Sequence, residues 1–218
     1  NVNRMAANLE QLERDRSTML AGISHDIRTP LTRLRLASEI SVNDVQSRDE
    51  MAADIDEIDR IVTQFLDFAR GTPKEAPEQA DLQIVLGAIA HKAASRNLPV
   101  TWQPGPEALV VNAYPAAFER MLMNLIENAH RYGKPPVELA VRRDGAMVDI
   151  DVLDAGDGVS AGDVERLKQP FVRGDHARGG AMGAGLGLAI VERLAKWHGG
   201  SFDLLPRSGG GTVARIRL

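Results

Sequence analysis

The sequence contains no cysteine, which excludes disulfide bonds and thiolate zinc sites and permits a reducing compartment. It lacks a strong charge of either sign: 26 basic and 30 acidic side chains give a formal net charge of −4, so electrostatics provides no case for nucleic-acid binding. No apolar run approaches the roughly 18 residues of a membrane span, and no signal peptide opens the chain. We therefore expect 218 soluble residues that form one large domain or two small ones.

The first residues have the pattern of a helix that continues from elsewhere. Met5, Leu9 and Leu12 repeat at helical spacing, but no capping residue precedes them and there is no initiator methionine. We therefore expect this chain to be a piece of a longer protein.

Two amphipathic helices are predicted next, at about residues 5–40 and 48–69, joined by a polar turn at residues 43–47. The apolar stripes are Leu20, Ile23, Ile27, Leu31 and Leu34 on the first helix, and Met51, Ile55, Ile58, Val62, Phe65 and Ala69 on the second. A lone hairpin cannot enclose both stripes, so the pattern favours a homodimer in which two hairpins form a four-helix bundle. The alternative is a hairpin that packs on a second domain of its own chain.

A histidine and a threonine face away from the first stripe. At about 100° per residue, His25 and Thr29 lie about 160° from its centre, one turn apart and in water. Asp26 follows the histidine directly. A single helical histidine is usually an ordinary surface residue, so its interest depends on the rest of the chain.

Residues 71–79 contain two prolines and several charges but no large apolar side chain, which is typical of a linker. The pattern then becomes mixed. Helices are predicted at residues 82–94, 116–132 and 186–197, and strands at 100–102, 109–112, 137–142, 147–153, 201–205 and 212–218. Because the strands do not alternate regularly with helices, this order indicates an α+β sandwich and not a Rossmann sheet.

The helix at residues 116–132 carries two carboxamides, Asn124 and Asn128, on one face. A carboxamide oxygen carries no charge and suits an Mg²⁺ ion that phosphates already neutralise. Arg131 is close enough in sequence to reach the same phosphates. This face therefore predicts a metal–phosphate site.

Glycine-rich stretches follow. Asp154, with Gly156 and Gly158, ends a strand and can accept a hydrogen bond from an amino group such as that of adenine. Residues 183–188 open a helix whose free amides favour an anion, and residues 209–212 begin the last strand. A Walker P-loop is excluded because no lysine with serine or threonine follows the glycines. Each stretch could be a simple turn; together they predict an ATP pocket, with the loop at 173–182 as a mobile lid.

These motifs resemble the cytoplasmic catalytic core of bacterial two-component sensor histidine kinases. The H-D-I-R-T-P-L-T-R string that starts at His25 and the P-F-V-R-G-D string that starts at Pro170 are most similar to the EnvZ group. The resemblance implies a dimerisation and histidine phosphotransfer hairpin at 1–70, of which 1–12 end a HAMP-like linker. It further implies a linker at 71–79 and a Bergerat-type α/β sandwich ATP-binding domain at 80–218.

The resemblance also implies roles for individual residues. His25 corresponds to the phosphoacceptor, Asp26 to its acidic neighbour, and Thr29 to the residue that positions water when the hairpin dephosphorylates its partner protein. Asn128 corresponds to the Mg²⁺ ligand, and Asp154 to the residue that selects adenine. The nucleotide-binding positions implied are Asn124, Asn128, Arg131, Tyr132, Asp154, Gly156, Gly158, Arg173, Gly183, Gly185, Leu186, Gly187 and Thr212.

One position departs from the family pattern. Lys168 stands where the family's F-x-P-F box begins with an aromatic residue. We expect looser anchoring of the lid and altered nucleotide kinetics, but not loss of activity.

The implied activity is ATP- and Mg²⁺-dependent autophosphorylation of His25, transfer to an aspartate of a response regulator with an OmpR-like receiver domain, and a phosphatase reaction. The parent protein would lie in the bacterial inner membrane, anchored by segments upstream of this chain. One alternative is a gyrase- or Hsp90-like ATPase, which requires a glutamate where this chain has Asn124. The other is a dimeric scaffold whose ATP site is vestigial.

Overall fold

The computed structural model describes residues 27–40, 44–69, 75–105, 107–172 and 184–218. The chain divides after Thr72 into two compact units. The predictions for the start of the first helix, for most of the linker and for the loop at 173–182 fall outside the described residues.

The first unit contains two helices, α1 over residues 27–40 and α2 over Val45–Ala69. Helix α2 begins three residues earlier than predicted because Asp44 caps it. The Asp44 carboxylate accepts hydrogen bonds from the Ser47 hydroxyl at 2.6 Å and the Ser47 amide at 2.8 Å, and these bonds lower the pKa of Asp44. The predicted turn at residues 43–47 was therefore wrong for 45–47, which are the first residues of α2.

Side chains that join α1 to α2 give the hairpin its antiparallel register. Arg28 donates to Asp59 at 3.3 Å and to Thr63 at 3.1 Å, while Arg35, further along α1, donates to Asp56 at 2.6 Å. These groups are exposed, so they contribute to register more than to stability.

The apolar side chains of the hairpin are only partly covered. Leu31, Ile55, Leu66 and Ala69 are buried. Other large apolar side chains are between 41% and 80% exposed: Leu34, Leu36, Ile40, Val45, Met51, Ile58 and Phe65. The predicted hairpin is confirmed, and it leaves much of its apolar surface in solvent.

The second unit is an α+β sandwich, as predicted. Its helices are α3 (Leu82–Ala94), α4 (Pro115–Tyr132), α5 (Val164–Leu167) and α6 (Gly187–Trp197). Its strands are β1 (Glu78–Asp81), β2 (Thr101–Trp102), β3 (Val110–Ala113), β4 (Glu138–Asp144), β5 (Met147–Leu153), β6 (Ser201–Pro206) and β7 (Thr212–Arg217). The main sheet has the order β2-β4-β5-β7-β6, and only β2 and β4 run parallel. Strands β1 and β3 form a separate antiparallel pair.

The core lies between the main sheet and the helices α3, α4 and α6. Val148, Ile150 and Val152 of β5 are buried in this core, as is Phe118 of α4. Strand alternation places the intervening residues on the opposite face of the sheet. The helix-covered face therefore supplies the stability that holds the loops at the sheet's ends.

The opposite face of the sheet carries a network of ion pairs around Asp149, whose side chain is fully buried. Asp149 accepts from Arg217 Nε at 2.6 Å and from Arg142 Nη2 at 2.6 Å. The hydrogen bond from Arg217 outweighs the effect of burial and, with Arg142 and the nearby Arg215, lowers the pKa of Asp149 to about 2. Arginine side chains thus cover a carboxylate in the middle of the sheet.

Helix α4 begins with help from a distant residue. Its N-cap residue, Tyr114, provides no side-chain hydrogen bond. Instead, the carboxylate of Glu75 accepts from the amides of Ala116 at 3.3 Å and Ala117 at 3.1 Å. A carboxylate at this end satisfies amides that have no partner within the helix and interacts favourably with the helix dipole.

Candidate functional site

Asp154 lies directly after β5, in a cradle that it forms with Gly133, Gly156 and Gly211. Its side chain is buried, and Oδ1 accepts a hydrogen bond from the Gly156 amide at 2.7 Å. Its other oxygen, Oδ2, has no donor within the described parts of the chain. A buried carboxylate with one oxygen fixed by its own loop can accept a hydrogen bond from an amino group on a flat ring.

Two glycines bring the backbone unusually close to this carboxylate. A Cβ atom on Gly133, directly after α4, would lie 2.5 Å from Asp154 Cγ. A Cβ atom on Gly156 would lie 2.8 Å from Gly133 Cα and 2.9 Å from Asp154 Oδ1. Any side chain at either position would displace Asp154, so both glycines are needed for space.

The other wall of the cradle is the start of β7. A Cβ atom on Gly211 would lie 2.1 Å from the Asp154 carbonyl oxygen, and the Asp154 amide donates to the Thr212 carbonyl at 3.0 Å. Arg207 donates to the Asp154 carbonyl at 3.1 Å and to Glu138 at 2.6 Å. The glycine stretch before the last strand thus lies beside the Asp154 loop, as the sequence predicted.

Helix α4 extends the site away from the cradle. Asn124 donates from Nδ2 to the Arg120 carbonyl at 2.9 Å, which leaves its carbonyl oxygen as an acceptor. The half-buried Asn128 has no side-chain hydrogen bond within the described residues. At a rise of 1.5 Å per residue, Asn128 lies about 8 Å and Asn124 about 14 Å along the helix from Gly133. The two carboxamides therefore lie one helical turn apart on one face of α4.

The turn before α6 leads into that helix beside Asn124 of α4. Gly185 has a φ of +66°, and its carbonyl accepts from the Phe171 amide at 2.9 Å. A Cβ atom on Gly187, the first residue of α6, would lie 3.5 Å from Asn124 Oδ1. The amides at the start of a helix favour an anion, so this end of the site suits phosphate groups.

The remaining predicted residues have varied positions. Tyr132 and Arg131 are exposed at the end of α4, whereas Leu186 is 1% exposed and its carbonyl accepts from Ile190. Gly158 has a φ of +80° and lies against the Gly211 carbonyl. In the other unit, Thr29 is exposed on α1. Four predicted site residues lie outside the described residues: His25, Asp26, Arg173 and Gly183.

Sequence reasoning missed several residues that shape the site. Gly133 follows the last helical position directly, and that placement was an available signal. Arg207 and Glu75 gave no local signal, because each acts on residues far away in sequence.

The two units match different family models. Residues 15–74 match the His Kinase A (phospho-acceptor) domain. Residues 113–218 match the histidine kinase-, DNA gyrase B- and HSP90-like ATPase domain. The fold and the site therefore define a phosphoacceptor domain joined to an ATP-binding domain.

Individual proteins agree with these matches. The sensor histidine kinase CpxA of Escherichia coli (strain K12) is 34% identical over 212 residues, which cover 91% of this chain and 46% of CpxA. The sensor histidine kinase GtrS of Pseudomonas aeruginosa is 33% identical over 218 residues, 99% of this chain and 44% of GtrS. The chain thus spans about half the length of these relatives.

Solved structures show the same similarity. The histidine kinase domain of the E. coli osmosensor EnvZ is 34% identical with a TM-score of 0.51, covering 67% of this chain and 91% of that domain. Full-length ShkA in complex with AMPPNP is 27% identical with a TM-score of 0.70, covering 92% of this chain and 45% of ShkA. This chain belongs to the sensor histidine kinase family, which confirms the predicted family and fold class.

None of the helices in the described ranges is both long enough and apolar enough to cross a membrane.

Proposed function

We propose that this chain transfers the γ-phosphoryl group of ATP to His25 and then passes it to an aspartate of a response regulator. The observation that carries the proposal is the cradle at Asp154, in the same unit as the paired carboxamides Asn128 and Asn124 of α4. The match of residues 15–74 to a phosphoacceptor domain supports His25 as the receiving histidine. The residues that would bind ATP and the histidine that would accept its phosphoryl group thus belong to separate domains of one chain.

The residues of the second unit fit ATP with a magnesium ion. The available oxygen of Asp154 would accept from the adenine amino group, beside Tyr132, while Gly156 lets the backbone approach that carboxylate closely. Asn128 would hold the metal through its carbonyl oxygen, with Asn124 one turn away. When bound, Mg²⁺ supplies positive charge that neutralises phosphate oxygens.

Backbone amides and arginines would hold the phosphates. The turn that contains Gly185 and Gly187 leads into the start of α6, where backbone amides and the helix dipole favour negative charge. Gly183, Arg131 and Arg173 would also contact the phosphates. Leu186 and Thr212 would support the residues that bind the nucleotide. Together these groups orient the terminal phosphate for in-line attack.

His25 would be the nucleophile. A neutral imidazole is required, and the usual histidine pKa of about 6.5 leaves it largely neutral near pH 7. A bond forms between the attacking ring nitrogen and phosphorus while the bond to the ADP oxygen breaks, and Asp26 stabilises the resulting positive ring through its other N–H. In the phosphatase reaction, Thr29 would hold a water molecule for attack on the regulator's aspartyl phosphate. Its exposure on α1 supports this role.

The partners follow from the surfaces and from the family. The exposed apolar side chains of α1 and α2 support a homodimer that closes a four-helix bundle. The response regulator would carry an OmpR-like receiver domain and dock near His25. The parent protein would lie in the inner membrane, with residues 1–12 as the end of a HAMP-like linker and residues 1–70 as the phosphotransfer domain. The linker would be shorter than the predicted 71–79, because Glu75 and β1 belong to the second unit.

Asn124 argues against direct hydrolysis of ATP. An ATPase of this fold needs a carboxylate at that position to activate water, and a carboxamide cannot accept a proton in this way. Glu127, which directly precedes Asn128, is turned by about 100° from it and so lies on another face of α4 than the metal ligand.

The test is labelling with γ-labelled ATP and Mg²⁺ in the wild type and in His25→Gln. We expect label that is acid-labile and alkali-stable in the wild type and absent in His25→Gln. His91→Gln, which removes an exposed histidine of α3, is the matched control and should label normally. Label that persists in His25→Gln, or a wild type that binds ATP without becoming labelled, would contradict the proposal.

A further inference from the structure

Lys168 is firmly held, although it replaces an aromatic residue of the family pattern. It follows α5 directly, and its side chain is only 10% exposed. Nζ donates to Asp203 at 2.8 Å and to Glu165 at 2.9 Å, and it lies 5.8 Å from the centre of the Phe202 ring. The position therefore has an ionic anchor with an aromatic support.

The ammonium group remains charged in this environment. Burial alone would lower the pKa of Lys168, but the hydrogen bonds with Asp203 and Glu165 outweigh it and raise the pKa above its usual value. Because the raised pKa exceeds that of the unfolded chain, the ammonium group is charged at every pH below the usual lysine range.

The two carboxylates have different structural consequences. Glu165 belongs to the same short helix as Lys168 and is 83% exposed, so their contact ties α5 only to itself. Asp203 lies on β6, 35 positions further along the chain. Of the two ion pairs, only the one with Asp203 therefore connects the end of α5 to another element of the fold.

A continuous path leads from this anchor to the phosphate end of the site. The amide of Val172 donates to the Gln169 carbonyl at 3.4 Å, and the amide of Phe171 donates to the Gly185 carbonyl at 2.9 Å. A Cβ atom on Gly185 would lie 2.7 Å from the Val172 carbonyl oxygen, so the two segments are in close backbone contact. The turn at Gly185 leads directly into α6 beside Asn124.

We propose that the Lys168–Asp203 ion pair is a positioning device that fixes the backbone of Phe171 and Val172 against Gly185 and so sets the phosphate-binding turn. The pair replaces a packed aromatic ring with a charged tether from β6. The inference rests on the proposed nucleotide site, whose phosphate end this turn forms. Lys168 acts through the backbone and does not touch the nucleotide.

The experiment compares Asp203→Asn with Glu165→Gln in the full chain. Both substitutions remove one carboxylate partner of Lys168, but only Asp203→Asn removes the tether to β6. We expect Asp203→Asn to raise the Kd for ATP, measured by calorimetry, by about five-fold or more, the lower end of typical coupling between sites. Glu165→Gln should leave the Kd unchanged, and Lys168→Arg should retain most of the affinity.

A second measurement needs no nucleotide. Amide hydrogen exchange at Phe171 and in the first turn of α6 should accelerate in Asp203→Asn and not in Glu165→Gln. Lys168→Met combined with Asp203→Asn should bind ATP no more weakly than Asp203→Asn alone, because both changes break one interaction. Asp203 is 56% exposed, so its substitution is compatible with folding.

The inference is overturned if Asp203→Asn binds ATP like the wild type, or if Glu165→Gln weakens binding equally. Failure of the wild type itself to bind ATP would instead contradict the proposed nucleotide site. An altered rate of autophosphorylation at saturating ATP with an unchanged Kd would also overturn the inference, since it would place Lys168 in the chemical step.

Discussion

At the scale of single residues, space decides the shape of the adenine end of the site. Gly133 has an ordinary φ of −91°, so another residue could adopt its backbone conformation. What excludes a side chain is Asp154, whose Cγ would lie 2.5 Å from a Cβ atom there. The carboxylate can occupy its place only because the end of α4 lacks that carbon.

We predict that Gly133→Ala weakens ATP binding by at least about ten-fold, equivalent to about 1.4 kcal/mol, because Asp154 must move away from the ring it would recognise. Equilibrium titration with ATP measures this effect. Gly162→Ala is the control, since a Cβ atom there would have no neighbour within 4 Å and Gly162 lacks a positive φ. Equal affinity in the two variants would show that Asp154 does not determine binding.

A second prediction concerns Asp149 and acid. Its pKa of about 2 in the folded protein lies below the usual 3.8, so its contribution is complete above about pH 4 and is lost as the pH falls towards 2. Asp149→Asn should therefore lower the free energy of unfolding at pH 7 by about 2 kcal/mol, the scale of a charged hydrogen bond. The difference from the wild type should shrink as the pH falls below 4.

Denaturant titrations at several pH values test this dependence. Asp144→Asn is the control because Asp144 also accepts from Arg217, at 2.8 Å, but its side chain is 58% exposed. A difference between Asp149→Asn and wild type that stays constant from pH 7 to pH 2 would refute the explanation by charge.

At the scale of elements, α4 carries both asparagines and depends on residues outside itself at both ends. Its first amides are satisfied by Glu75, and its last turn leads into the Gly133–Asp154 contact. Contacts with Glu75, before β1, and with Asp154, after β5, therefore hold the two ends of α4 in place.

We predict that Glu75→Ala lowers the free energy of unfolding of the second unit by about 1 kcal/mol, the usual effect of removing a helix cap. Denaturant unfolding followed by circular dichroism provides the measurement. Glu78→Ala removes a nearby exposed carboxylate on β1 that makes no such contact among the described residues. If both substitutions have the same effect, the loss is one of general charge and not of capping.

The sequence predicted the elements that have a strong local signal. Helix α3 begins and ends at the predicted residues, and Gly145, with a φ of +63°, forms the hairpin turn between β4 and β5. Strand β1 was missed because Glu78–Asp81 has no large apolar residue and exists through its pairing with β3. Helix α5, with 4 residues, is too short for a periodic pattern.

The residues of the site divide in the same way into those with a local sequence signal and those without one. Asp154, Asn124 and the glycine turns stand out because their residue types are unusual at those places in the pattern. The close approach of Gly133 to Asp154 and the cap from Glu75 are contacts between distant segments, and periodicity carries no information about such contacts.

At the scale of the whole molecule, large apolar side chains are exposed along both described helices of the hairpin. Leu34 and Ile58 are 53% and 45% exposed, respectively, and belong to the predicted stripes of α1 and α2. Exposed apolar side chains arranged along paired helices favour association with another helical surface. A second copy of the hairpin offers a surface of matching pattern.

We predict that Ile58→Lys shifts the chain from dimer to monomer, because an ammonium group would be buried in the bundle core. Sedimentation equilibrium at several protein concentrations measures the shift. Ile84→Lys is the control: Ile84 is 72% exposed on α3, in the other unit, and its substitution should leave the dimer intact. A monomeric wild type, or a dimeric Ile58→Lys variant, would contradict the bundle.

The cap on α4 also determines where the chain can be shortened. A fragment that begins at Glu78 would retain every strand and helix of the second unit, yet Ala116 and Ala117 would lose the acceptor for their amides. Cutting before Glu75 retains that acceptor, although the residues gained belong to no strand or helix. The limit of the autonomous ATP-binding domain is therefore defined by one carboxylate and not by the first strand.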